Sequence, residues 1–175
     1  YVNSPGSDDR PKFFFQNPKV VVATNIEHDH PDVYPSLKET KETFLNFFKK
    51  IPSNGLLIAS IDNPNNQNVL AQYSASIQTY GFSPRADWRI EKVYFGQGQT
   101  IFSLHHQGLS IDDIKIKVPG KFNVLNATAA FAVANFLGVD GRQIKEGLAK
   151  FNGSKRRFEL VADVNNISLY DDYAH

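Results

Sequence analysis

Two short apolar runs, Lys19 to Thr24 and Leu56 to Ile61, limit what this chain can become. Each has the length of a strand and neither alternates. Continuous apolarity over so few residues marks a strand buried on both faces, as in a parallel sheet. Parallel neighbours need a crossover, and the segment between the runs supplies one. Ser36 and Glu39 have the Ser-x-x-Glu spacing of a capping box. Leu37, Phe44, Leu45, Phe47, Phe48 and Ile51 form one face of the helix that follows, which Pro52 and Gly55 end. Asp62-Asn-Pro64 turns into a second helix at about 65–73, and Ser76 to Tyr80 supplies a third strand. This order predicts an α/β fold, a mostly parallel sheet flanked by helices with right-handed crossovers.

The middle of the chain changes period. Asp87 to Phe95, Gln99 to His106 and Leu109 to Val118 alternate roughly in twos, separated by Gly96-Gln-Gly98 and Gln107-Gly108. An antiparallel β-meander inserted after the parallel strands is expected. Beyond Pro119-Gly120, an Ala-rich helix is predicted from Asn123 to Leu137, and another from Asp140 to about Phe151. Phe158 to Val164 and Ile167 to Tyr170 read as a hairpin around Asn165-Asn166.

Composition removes several functions. A net charge of +1 gives no electrostatic case for nucleic acid as partner. With no Cys, disulfide scaffolds and thiolate-held metals are excluded. The longest apolar stretch, Ala127 to Val139, is too short to span a membrane. There is no Met, and the chain runs from Tyr1 to His175 directly after Asp-Asp-Tyr-Ala. It is therefore expected to be a piece of a longer protein.

Four segments carry groups suited to chemistry. Thr24-Asn-Ile-Glu-His-Asp-His30, followed by Asp32, crowds carboxylates and imidazoles into one loop. Such a loop can take Mg²⁺ or Mn²⁺, or can simply be a solvated turn whose histidines cap the next helix. Pro119-Gly-Lys-Phe-Asn-Val-Leu-Asn126 opens a helix with two amides but lacks the glycines and Ser/Thr of a P-loop. Locally, Asn123 reads as that helix's cap. Ser154-Lys-Arg-Arg-Phe-Glu159 offers adjacent arginines, of which at most one can enter a cleft to clamp phosphate. Asp171-Asp-Tyr-Ala-His175 sets paired acids after a strand.

In this order and spacing, the four segments resemble the central domain of the Mur ligases. These are ATP-dependent amide-bond ligases of bacterial peptidoglycan synthesis. The resemblance implies a P-loop-NTPase-like fold with residues 1–171 as part of the ATP-binding domain and 172–175 as the start of a hinge to a further domain. It implies a P-loop upstream of Tyr1, with Tyr1 the last residue of a Glu motif, and hence no ligase activity for this piece alone. Expected cofactors are ATP and Mg²⁺ or Mn²⁺. Arg-Arg-Phe-Glu and Asp-Asp-Tyr-Ala-His lean toward the branch that joins L-alanine to UDP-N-acetylmuramate through an acyl phosphate, in the cytoplasm. The murein tripeptide recycling branch is the near alternative. Residue by residue, His30 is the implied metal ligand, with Asn25 and Glu27 on the substrate side of that loop. Asn123 and Asn126 are implied to meet adenine, Arg157 the phosphates, and Asp172 the ribose. Two other readings are open: a metal-dependent hydrolase built on His28, Asp29 and His30, and a non-catalytic nucleotide- or metal-binding module.

Overall fold

A computed structural model describes residues 11–31, 33–96, 98–165 and 167–173. After a 3-10 turn at Lys12–Phe15, the first elements are β1 (Val20–Ala23), α1 (Leu37–Phe48), β2 (Leu56–Ser60), α2 (Pro64–Leu70) and β3 (Ile77–Gly81). There follow β4 (Trp88–Gly96), β5 (Gln99–His106), β6 (Leu109–Ile116), α3 (Lys121–Phe136), α4 (Gly141–Lys150), β7 (Glu159–Val164) and β8 (Ile167–Asp171). Residues 1–10, Asp32, Gln97, Asn166, Ala174 and His175 lie outside the described residues, and with them the readings placed on Tyr1 and on the chain's last two positions.

β1 to β6 form one sheet in chain order, while β7 and β8 pair separately. The β1, β2 and β3 pairings are parallel, as the apolar runs predict. The meander is not an insertion set apart from them. β4 joins β3 in parallel through only Tyr80↔Trp88 and Gly81↔Arg89, then pairs antiparallel with β5, and β5 with β6. The meander is thus the second half of the same sheet.

Side chains on the two faces build two cores. On one face, Phe47 and Phe48 at the end of α1 and Ile51 just beyond it, with Val69 and Tyr73, cover Val21, Ala23, Leu57 and Ala59. On the other, Val124, Ala127, Phe131 and Ala132 of α3 cover Ile58, Trp88, Phe102 and Leu104, with Ile144 of α4 beside them. Burying a side chain of Phe or Leu size contributes about 1.5–3 kcal/mol. Every residue of β2 is buried, as its composition predicts. β1 differs, because Val22 remains 39% exposed. Among the described residues β1 is the outermost strand and α3 packs over β2 to β5, so one face of β1 is left uncovered by them.

Ser36 Oγ accepts the Glu39 N–H at 3.3 Å and donates to the Glu39 carboxylate at 3.2 Å, an N-cap worth about 1 kcal/mol. Burial, with the Asp62 carboxylate nearby, pushes the Tyr80 phenol from 10 up to about 12. The fold therefore favours the neutral phenol. Its contribution is intact below the unfolded value and is lost as pH rises through the folded one. The urea midpoint is expected to fall between pH 10 and about 12. Tyr80→Phe should flatten that part of the profile; an unchanged slope would contradict it.

Candidate functional site

β1 ends at Ala23, and the chain leaves the sheet in a loop that its own polar groups help to hold. Ile26 is buried, while Asn25, Glu27 and Asp29 face solvent. Thr24 Oγ1 donates to Asn25 Oδ1 at 3.0 Å. The Val33 and Tyr34 amides both donate to the His30 carbonyl at 2.9 Å, and His30 itself has φ 57°. His28 Nε2 lies 2.8 Å from the Tyr34 carbonyl, an acceptor, so that nitrogen carries the proton and donates. His28 therefore braces the loop. Neither histidine caps α1, because Ser36 does. His30 is half-buried, with Nε2 3.5 Å from Asp29 Oδ2. Among the described residues no three His, Asp or Glu side chains converge. Asp32 lies outside that set. Mg²⁺ commonly takes one or two protein ligands and completes its shell with waters and substrate phosphates. A half-buried imidazole beside exposed carboxylates fits such a partial site.

The second group surrounds a cavity of about 750 Å³. Its walls are apolar, with Val118, Ala127, Leu148 and Phe151 among them, and Phe122 stands exposed at its edge. Asn123, Asn126, Arg157 and Asp172 all line it. Four of the seven residues singled out in the sequence thus share one cavity. Asn25, Glu27 and His30 are on the separate β1 loop.

The helix start differs from the expected cap. Gly120 is the N-cap of α3, with φ 100° and no capping side chain. The positive φ favours glycine, and a Cβ there would also meet the exposed Phe122 ring at 2.8 Å. Asn123 lies one turn in, and its Nδ2 donates to the Pro119 carbonyl at 2.7 Å. That bond fixes the amide, and Oδ1 accepts no hydrogen bond from the described residues. The Asn126 and Arg157 side chains have no hydrogen-bond or ion-pair partner among the described residues.

The arginine pair separates. The Arg156 guanidinium lies 4.7 Å over the Tyr173 ring, whereas Arg157 lines the cavity. The turn between them is held at three points. Phe158 N–H donates to Asp172 Oδ2 at 3.0 Å, Tyr173 N–H to the Arg156 carbonyl at 2.8 Å, and Arg156 N–H to Glu159 Oε2 at 2.8 Å. Arg156 and Phe158 both adopt positive φ, 58° and 49°. Backbone strain of this kind persists where surrounding contacts over-determine it. The aromatic walls, Phe122 and Phe151, were not singled out in the sequence. Phe122 carried a signal, as an aromatic beside a helix start, but exposure at a cavity edge is a property of the fold.

The chain matches the family model described as "Mur ligase middle domain" over residues 4–134. It is 41% identical to the UDP-N-acetylmuramate–L-alanine ligase of Geobacter sp. strain M21, over 93% of this chain and 35% of that protein. The chain thus spans about a third of the length of that curated relative. Among solved structures, the UDP-N-acetylmuramate–alanine ligase MurC of Thermotoga maritima superposes with TM-score 0.80 at 26% identity, covering 95% of this chain and 37% of that one. A murein peptide ligase from Psychrobacter arcticus superposes with TM-score 0.70 at 28% identity, covering 96% and 34%.

Proposed function

The chain belongs to the Mur ligase family, and from that premise we propose that it is the ATP-handling middle domain of a longer ligase that joins L-alanine to UDP-N-acetylmuramate. The observation that carries the ATP half of this reading is the meeting of Asn123, Asn126, Arg157 and Asp172 on one apolar-walled cavity. A flat purine suits such walls, and purine edges need amide partners. The 41% identity to an alanine-adding relative supports the choice of substrates.

Bound ATP with Mg²⁺ or Mn²⁺ would supply phosphoryl chemistry: a carboxylate would take the terminal phosphoryl group with release of ADP, and an amine would then displace phosphate from the activated carbonyl. The protein's part is positioning and charge. Asn123 Oδ1, fixed by the bond to Pro119, accepts from an exocyclic amine, and Asn126 adds a second amide. Arg157 meets phosphate oxygens, and Asp172 accepts ribose hydroxyls while holding the Arg157 turn. His30 donates an imidazole nitrogen to the divalent ion. Asn25 and Glu27 face the muramate.

The test is ADP release by the complete ligase with UDP-N-acetylmuramate and single amino acids. Turnover dependent on L-alanine, abolished by chelating the divalent ion, is expected. The murein tripeptide branch is the second reading, favoured by the 28% identity to the Psychrobacter arcticus enzyme. Turnover that requires a tripeptide and ignores free L-alanine would select it instead.

A further inference from the structure

Two asparagines at the start of α2 do something their sequence conceals. Asn65-Asn-Gln-Asn68 is a polar run that reads as exposed helix surface. Asn66 is instead 1% exposed. Its Nδ2 lies 2.9 Å from the Ser60 carbonyl and 3.3 Å from those of Ala23 and Thr24. Two amide hydrogens serve three carbonyls, so one is shared. The amide cannot be reversed, because Oδ1 would then face three acceptors. In this orientation Oδ1 has no partner among the described residues. Backbone pairing of β1 with β2 stops at Ala23↔Ala59. Asn66 therefore ties the two strands just beyond their last rung. Asn65 Nδ2 donates to the Ile26 carbonyl at 2.8 Å. Both asparagines are themselves fixed, since Asn63 caps α2 by accepting the Asn66 N–H at 2.9 Å and Pro64 begins the helix.

One turn of α2 thus grips the backbone at Ala23, Thr24 and Ile26. Asn25 lies inside the gripped stretch, and Glu27 and His30 follow directly. We propose that Asn65 and Asn66 are positioning residues, which hold the exit of β1 in one conformation so that Asn25, Glu27 and His30 are presented together to substrate and divalent ion. A loop leaving the end of a strand otherwise opens readily, and groups that meet a ligand gain from being fixed beforehand. The proposal rests on the functional reading above.

The test uses Asn65→Ala in the complete ligase, because Asn65 is only half-buried. Amide exchange across residues 24–28 is expected to quicken by about tenfold. Mn²⁺ affinity, read by electron paramagnetic resonance, and kcat should each fall roughly tenfold, the scale seen when support to metal ligands is removed. The KM for ATP should stay within about twofold, since the cavity residues are untouched. Unchanged exchange, or faster exchange with unchanged Mn²⁺ affinity and kcat, would overturn the proposal. So would an equal loss in every parameter with a lower Tm, the mark of general structural support. Asn66→Asp removes the donors almost isosterically and should give a larger effect of the same pattern; if it does not fold, Asn65→Ala decides. Absence of alanine-dependent turnover in the unsubstituted ligase would sink the functional reading alone, leaving exchange and Mn²⁺ affinity to judge the brace.

Discussion

Arg157→Ala is expected to lower kcat/KM for ATP by about a hundredfold or more, the scale of losing a donor that meets charge built up in a transition state. The geometry makes the demand specific. The Arg157 guanidinium has no hydrogen-bond or ion-pair partner among the described residues, so none of their bonds is lost with it. Its backbone is nevertheless held on both sides, by Asp172 and by Tyr173. A cation kept unpaired on a fixed turn at a cavity wall is suited to an anionic ligand. Arg157→Lys should recover part of the loss, because lysine keeps the charge but not the two-pronged geometry. Arg156→Ala is the control: its cation–π contact with Tyr173 is exposed and worth roughly 0.5–1 kcal/mol. Steady-state turnover at varied ATP separates the two. A larger loss from Arg156→Ala than from Arg157→Ala would reverse their assignment.

Trp88→Ala is expected to cost about 4 kcal/mol, near the middle of the range for emptying a buried Trp site. Trp88 is wholly buried and packs against Phe131, with ring centroids 5.7 Å apart. The His106 ring also stacks on it, at 3.6 Å between centroids. The indole N–H donates to Gln78 Oε1 at 2.8 Å, so truncation also orphans that acceptor. Trp88 sits opposite Tyr80 in the short β3–β4 pairing, beside the hydrogen bonds that Thr79 exchanges with Asp87. Protection of the β3 to β6 amides against exchange reads the change. Trp88→Phe should cost less, because it keeps most of the volume. Protection unchanged in Trp88→Ala would refute the central place given to this ring.

The parallel strands, the capping box and the meander were legible because each is written in local pattern. Leu56 to Ile61 is apolar without alternation, and Ser36 precedes Glu39 by three. The gathering of Asn123, Asn126, Arg157 and Asp172 followed from resemblance and not from spacing, since 49 positions separate the first from the last. What stayed hidden was long-range. Nothing near Asn66 announces carbonyls 42 and 43 residues away. Nothing near Asn123 announces that Gly120, through its positive φ, takes over the helix start.

Because β3 and β4 share only two rungs, the halves of the sheet are separable in time. Contacts within β4 to β6 join neighbours in sequence through tight turns, and such hairpins close in microseconds. The β1 to β3 half must first close two crossovers, and that loop entropy is met before any rung rewards it. The meander is thus placed to form first and to offer β4 as the edge on which β3 docks. The half that carries the His30 loop is then expected to be the slower to assemble, read as later amide protection in β1 to β3 than in β4 to β6 during refolding.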